Sequence, residues 1–241
     1  MKKEYENIVN EKLCILVTGP TCSGKSTCAM NLSRAIPNIV YLDKDDAVIL
    51  SNWIFYTNGE PVDRQGDFFK KYVRMQEYEM IEAMALRALL FADRVIINAP
   101  YGSETDVELE GGSSERLRNL KQKINERGGK LMVVFLNLTK ETATERWQKR
   151  FSEDPDAAKR TPKALENLED YLNEQHLDLP AGTTIPDADY FVLFDAQNSE
   201  KAFCDLKAFL GVSSDEPYDC DITRKPFMGA AKFDTAQPDI E

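Results

Sequence analysis

Apolar residues concentrate in five short runs along this chain, at 13–17, 39–42, 94–97, 131–136 and 190–194, and the stretches between them carry helical spacing or polar turn residues. Runs of this length, rich in Val, Ile and Leu, suit strands buried on both faces. Strands that alternate with helical segments predict a parallel sheet with helical crossovers. Helices are predicted at 26–36, 114–127 and 139–150, and again from Thr161, where an N-capping residue precedes Pro162 at the first helical position. The interval 46–92 is longer than one crossover requires. It holds the turn sequence Thr57-Asn58-Gly59-Glu60-Pro61 and then a long helical pattern from about Asp67, so an insertion is expected there.

Composition narrows this picture. The chain has 241 residues, 42% of them hydrophobic, enough for one substantial core without requiring two domains. A formal net charge of -11 works against broad attachment to nucleic-acid backbones or anionic membranes, and it favours a small-molecule partner. The apolar helical stretch at 80–92 is interrupted by Glu82 and Arg87 and is too short to span a bilayer. Lys2 and Lys3 are followed at once by Glu4 and Glu6, unlike a signal peptide, so no membrane segment is expected. Five cysteines form no CxxC pair, which suits reduced thiols and a cytoplasmic protein. His176, the single histidine, belongs to no motif and reads as a surface residue. Residues 211–241 carry seven acidic and three basic residues with three prolines, and read as an extended or partly disordered tail. Tyr218, Phe227 and Phe233 offer that tail aromatic groups for docking on the body.

The first run leads directly into Gly19-Pro20-Thr21-Cys22-Ser23-Gly24-Lys25-Ser26, with Thr27 next and a helical segment following. GxxxxGKS between a strand and a helix is a phosphate-binding loop. Its glycines permit backbone conformations in which successive N–H groups wrap phosphate oxygens, and the helix N-terminus adds unpaired N–H groups and a favourable dipole. Lys25 is expected to reach the β- and γ-phosphates and the Ser26 hydroxyl to ligate Mg²⁺. Residues 19–27 are therefore expected to bind ATP with Mg²⁺. The segment after the fourth run, Thr139-Lys140-Glu141-Thr142, lacks the aspartate of a guanine-reading NKxD element, which disfavours a GTPase. Cys22, inside the loop, reads as a small filler rather than a redox sensor.

After the second run, Asp43-Lys44-Asp45-Asp46 places three carboxylates at the carboxyl end of a strand, where α/β sheets put their chemistry. Asp43 and Asp45 share one side if the chain stays extended. The bland alternative is a helix cap, and Asp46 fits that role best. A phosphoryl acceptor needs a carboxylate to orient its hydroxyl and take its proton, which makes Asp45 the candidate base.

Taken with the phosphate loop, this cluster resembles the small-molecule and polynucleotide kinase group of phosphate-loop proteins, including zeta-toxin-like and adenylate-kinase-like folds. The resemblance covers about residues 13–210. It implies a three-layer α/β/α sandwich with a five-stranded parallel sheet in order 2-3-1-4-5, an acceptor-binding insertion at about 46–92 and a kinase-type lid at about 146–161. The spacing of Asp45 twenty positions after Lys25 matches the family and implies the base role, with Asp43 assisting the metal. Glu145-Arg146-Trp147-Gln148-Lys149-Arg150 resembles the start of the arginine-bearing lid, and Lys159-Arg160 with Asn167 to Leu172 resembles its return. Arg146 and Arg150 lie one turn apart on a helix and can meet the same phosphate chain, or else form an ordinary solvated face. Gln197, after the last strand, stands where similar kinases contact adenine.

One position departs from the family. Asn98 occupies the strand end where related kinases often carry an aspartate, so Asp43 must supply the carboxylate, with Glu104 as partial compensation, or turnover is weak. For the acceptor, Arg64 and Arg74 are candidate anion contacts and Trp53, Phe55, Tyr56, Phe68 and Tyr72 candidate walls, against the alternative that such an aromatic stripe is core. The function expected is an ATP- and Mg²⁺-dependent kinase for a hydroxyl of a small molecule such as a nucleoside, sugar, nucleotide-sugar or antibiotic. The alternatives are a polynucleotide 5′-end kinase and a nucleotide-binding regulator with slow hydrolysis.

Overall fold

The computed structural model describes residues 8–101, 114–154 and 161–224. Five strands, β1 (Lys12–Thr18), β2 (Val40–Asp43), β3 (Arg94–Asn98), β4 (Gly129–Asn137) and β5 (Tyr190–Asp195), form one sheet in order β2-β3-β1-β4-β5 with every pair parallel. The predicted order is thus the observed one. Each apolar run lies within its strand or one residue ahead of it, and the strands extend by a few residues at their ends.

The near-continuous apolar runs have a packing reason. Leu13, Ile15 and Val17 of β1 face one core, shared with helices α1 (Lys25–Ala35), α5 (Lys140–Glu153) and α8 (Ser199–Phe209). Cys14 and Leu16 face the other, shared with α3 (Arg74–Ala88) and α4 (Glu115–Asn125). Helices therefore cover both faces of the sheet, and alternate residues of its central strand serve opposite cores. Ser114 and Thr139 cap α4 and α5 by accepting the N–H groups of Leu117 and Thr142, which explains why those helices begin where they do.

The insertion has a small core of its own. Helix α2 (Val48–Thr57) and a five-residue π-helical turn (Phe69–Val73) that runs into α3 bury Phe55, Phe69 and Val73 together, with Ile54 and Phe68 packed against them. Two short helices, α6 (Pro162–Glu166) and α7 (Leu168–Asn173), precede β5. Among the described residues, no helix is long and apolar enough to cross a membrane.

Beyond α8 the chain continues as an irregular strap along α1. Asn31 exchanges two hydrogen bonds with the Asp219 backbone at 2.8 and 3.0 Å, Arg34 pairs with Glu216 at 2.7 Å, and Tyr218 packs on Phe203. The strap ends in a 3-10 turn at Ile222–Arg224. Residues 225–241, with Phe227 and Phe233, lie outside the described residues, as do Glu104, Lys159 and Arg160.

Candidate nucleotide and acceptor site

β1 is the central strand, so its carboxyl end opens into the loop at the middle of the sheet edge. Gly19, at φ 140°, passes so close to β4 that a Cβ there would lie 2.8 Å from the Leu136 carbonyl oxygen. Only glycine fits. Gly24, at φ 95°, then turns the chain into α1. Lys25 folds back over the loop and donates to the carbonyls of Gly19 at 3.0 Å and Pro20 at 2.7 Å. Burial pushes its ammonium down to about 8, with Arg150 adding to the effect and Cys22, Asp45 and Asp43 opposing it.

The sheet register delivers the second half of the site. Asp43 of β2 stands beside Asn98 of β3, which stands beside Val17 of β1. The Asn98 amide donates to Asp43 Oδ2 at 2.6 Å and to Ser26 Oγ at 3.0 Å, bridging the acidic turn to the phosphate loop. Tyr41 donates to the same carboxylate oxygen at 2.7 Å, and burial beside that carboxylate pushes the Tyr41 phenol far up. The other Asp43 oxygen accepts the Asp45 N–H at 2.9 Å. Asp43, not Asp46, is therefore the cap of the 3-10 turn Lys44–Ala47, because a side chain at the strand end meets the N–H two residues on. Asp45 is exposed and lines the cleft that also holds Lys25, Ser26 and Asp43.

That cleft, of about 880 Å³, is the candidate nucleotide site. Ser26 and Asp43 provide hydroxyl and carboxylate oxygens, and the Asn98 amide lies between them. Such a donor set fits Mg²⁺, which takes one or two carboxylates and completes its shell with phosphate oxygens and water. Among the described residues there is no cluster of three or more His, Cys, Asp or Glu that could hold a metal by itself.

The two candidate arginines of α5 differ. Arg146 donates to the carbonyls of Ser23 at 2.8 Å, Cys22 at 3.3 Å and Ala196 at 2.5 Å, tying the phosphate loop to the end of β5. Arg150 is exposed, stacks over Trp147 at 5.6 Å and meets Cys22 Sγ at 3.5 Å across the mouth of the cleft. Gln197 is exposed after β5, its side-chain oxygen accepting from Thr142 at 3.3 Å, and it does not line the cleft. Tyr218, Cys220 and Thr223 of the strap line it instead.

A second cavity of about 470 Å³ lies across the loop, and Thr21 and Pro100 line both. Its walls include Arg64 and Arg74, as expected, and also Lys70, Lys163 and His176. The histidine is half-buried in that wall and is not the surface residue expected. Of the aromatic candidates, none of Trp53, Phe55, Tyr56, Phe68 and Tyr72 lines the cavity, while Phe69, Tyr78 and Tyr171 do. Phe55 and Phe68 pack in the insertion's own core, and Trp53, Tyr56 and Tyr72 face solvent. Tyr171 also donates to Thr21 Oγ1 at 3.1 Å, joining α7 to the phosphate loop.

Glu77 organises this side. Buried on α3, it accepts from Lys44 and Ser51, each at 2.5 Å, and pairs with Arg64 at 2.7 Å. Burial alone would raise its pKa, but hydrogen bonds from Lys44 and Ser51 and the charges of Lys44 and Arg64 outweigh it and hold the carboxyl below its ordinary value. Val73, Glu77 and Ile81 follow at four-residue spacing, so an acidic residue on an apolar helical stripe was the available signal.

A central-strand phosphate loop, an acidic turn beside it and an arginine-bearing helix over it define a kinase-like phosphate-loop fold. Residues 14–174, about two thirds of the chain, match the AAA domain family, and the chain belongs to that family. Among solved structures, a presumed kinase from Chloroflexus aurantiacus is 20% identical, with 83% of this chain and 95% of that chain covered and a TM-score of 0.55. A sugar kinase from Janibacter is 17% identical over 84% and 96% at a TM-score of 0.48. The tunicamycin resistance protein of Deinococcus radiodurans is 14% identical over 85% and 98% at 0.47. Of these three, the Chloroflexus structure is similar enough to show a shared fold. No curated protein sequence matches the chain significantly.

Proposed function

We propose that this chain is an ATP- and Mg²⁺-dependent phosphotransferase acting on a hydroxyl of a small molecule. The observation that carries this reading is the Ser26–Asn98–Asp43 chain of hydrogen bonds, which holds the acidic strand end against the phosphate loop within one cleft. Asp45, exposed in the same cleft, adds a carboxylate free to orient an acceptor hydroxyl and take its proton.

In this mechanism the acceptor oxygen bonds to the γ-phosphorus as the bond to the β,γ-bridging oxygen breaks, and Asp45 takes the hydroxyl proton. Lys25 leaves its carbonyl partners for the phosphates and offsets their charge. Ser26 and Asp43 would hold Mg²⁺, which when bound neutralises charge on the terminal phosphates. Arg150, at the cleft mouth, meets the transferring group, while Arg146 fixes the loop that both depend on; of the expected lid at 146–161, residues 155–160 lie outside the described residues. The insertion at 46–92 supplies much of the acceptor site.

The test is ATP consumption against a panel of hydroxylated acceptors. Acceptor-stimulated turnover is expected, and Asp45→Asn should lower it about 10²- to 10⁴-fold while Mg-ATP affinity is retained. Wild-type rates in both Asp45→Asn and Asp43→Asn would reduce the carboxylates to a helix cap and favour a nucleotide-binding regulator.

A further inference from the structure

The second cavity is a concentration of positive charge in a protein whose formal net charge is -11. Arg64, Lys70, Arg74 and Lys163 line it, and Glu174 is the acidic residue among its described lining. Lys163 and Glu174 pair at 3.7 Å, with both side chains more than 60% exposed. The remaining three cations come from one stretch of the insertion, around the π-helical turn Phe69–Val73. A π turn adds a residue to the helix, which shifts the angular positions of Lys70 and Arg74 around its axis, and such turns cluster at functional sites. Arg64 stacks over Phe69 at 4.7 Å with one nitrogen on Glu77, while its Nη1 has no hydrogen-bond partner. Gln65 Oε1, in the same wall, is likewise unpartnered and buried.

Glu77 does not cancel this field. Lys44 and Arg64 both converge on its single carboxylate, which therefore offsets only one of the two charges. Several cations lining one cavity favour the entry of an anion. The void meets the nucleotide cleft at Thr21 and Pro100, so a molecule seated there borders the phosphate loop.

We infer that the second cavity binds the acceptor, and that the acceptor is a small hydroxylated anion, its phosphate or carboxylate held by Arg64, Lys70 and Arg74. This rests on the phosphotransferase reading for the word acceptor, though not for the anion site itself. Cationic acceptors such as aminoglycosides are repelled, and neutral sugars lose the contact that orients them. A volume of about 470 Å³ suits a single small metabolite.

The lone histidine makes the test direct, because His176 lines this cavity and its ring proton is a unique NMR signal. The protein is first saturated with Mg²⁺ and a non-hydrolysable ATP analogue, then titrated separately with glycerol 3-phosphate, gluconate, glucose, kanamycin and a 5′-hydroxyl oligonucleotide. Glycerol 3-phosphate or gluconate should shift the His176 resonance saturably, and which of the two does so separates phosphate from carboxylate. Glucose and kanamycin should leave it in place. Lys70→Gln, at an exposed position, should weaken anion binding about tenfold, the loss of roughly one charged hydrogen bond, with analogue affinity unchanged. Arg74→Gln should do the same. No shift with either anion, an equal shift with glucose, or a stronger response to the oligonucleotide would overturn the inference. Failure of the analogue to bind would instead strike at the phosphotransferase reading.

Discussion

The two cavities that meet at Thr21 and Pro100 are built in opposite ways. The nucleotide cleft takes its centre from contiguous residues, 21–27, and carries both signs of charge, with Lys25, Lys149 and Arg150 near Asp43, Asp45, Glu153 and Asp154. The smaller cavity gathers residues from 19–21, 64–78 and 163–176 and is mainly cationic. A phosphate loop can be contiguous because its ligands are backbone N–H groups, which one short segment presents together. A site that reads side-chain charge and shape needs walls from several directions. It is therefore assembled by packing, here by the insertion, by α7 and by the buried Glu77 that fastens Arg64 in place.

If the two sides are functionally separate, changes on one should spare the other, and nucleotide affinity is the sharpest measure. The largest effect is expected from Lys25→Ala, which should weaken Mg-ATP binding by at least about 100-fold through loss of charge-assisted phosphate contacts. Calorimetry should show this in a folded protein whose His176 resonance still responds to an anion. Undiminished ATP affinity would contradict the assignment of the loop.

A smaller effect follows from pH. In the free protein Lys25 is lowered to about 8, and bound phosphates favour its charged form. Below that value the lysine is protonated with or without nucleotide. Above it, binding must take up a proton, so Mg-ATP affinity should fall about tenfold per pH unit as pH rises past 8. Lys25→Arg should flatten that limb, since an arginine stays charged throughout. A wild-type affinity that is level from pH 8 to 9.5 would refute the lowered value.

Glu77→Gln should leave nucleotide affinity unaltered and act on the other side. Removing the charge leaves Lys44 and Arg64 facing each other without compensation, and destabilisation of about 3 kcal/mol or more is typical of breaking a buried pair. Because the folded-state pKa of Glu77 is depressed, its stabilisation is complete above the ordinary carboxylate range and is lost as pH falls through the depressed value. Thermal melts should therefore show a shallower acid limb in Glu77→Gln than in wild type. A simultaneous loss of ATP affinity would mean that the two cavities are coupled through α3.

Much of the nucleotide side was legible in advance. The strand-loop-helix order around GxxxxGKS, the helical stretches beginning near residues 114 and 139, and the acidic strand end are all local patterns that stand where they were expected, whereas Thr161 precedes its helix without capping it through the side chain. The second cavity was legible only in part. Arg64 and Arg74 stood out as candidate anion contacts in an insertion, but Lys70 beside them carries no local signature, and Lys163 and His176 reach them only across the fold. The aromatic residues misled, because ring spacing along a helix does not say whether a ring meets the cavity, enters another core as Phe55 and Phe68 do, or faces solvent as Trp53, Tyr56 and Tyr72 do. Arg146 and Arg150 look equivalent as an i, i+4 pair, yet only the packed structure shows one tying down loop carbonyls and the other at the cleft mouth.

By itself the sequence determined what depends on neighbours along the chain: strands from uninterrupted apolar runs, helix starts from capping residues, and a phosphate site from a glycine-bearing turn. Tertiary structure alone decided what depends on distant segments arriving at one place. Parallel pairing set Asp43 beside Asn98 and Asn98 against Ser26, across separations of 55 and 72 residues. Docking of the strap brought Tyr218 and Thr223 to the nucleotide cleft, and packing of the insertion gathered a cationic cavity in an acidic protein. The physical reason is range. Backbone geometry and capping are settled within a few residues, whereas burial and charge compensation are settled by whatever the fold places alongside.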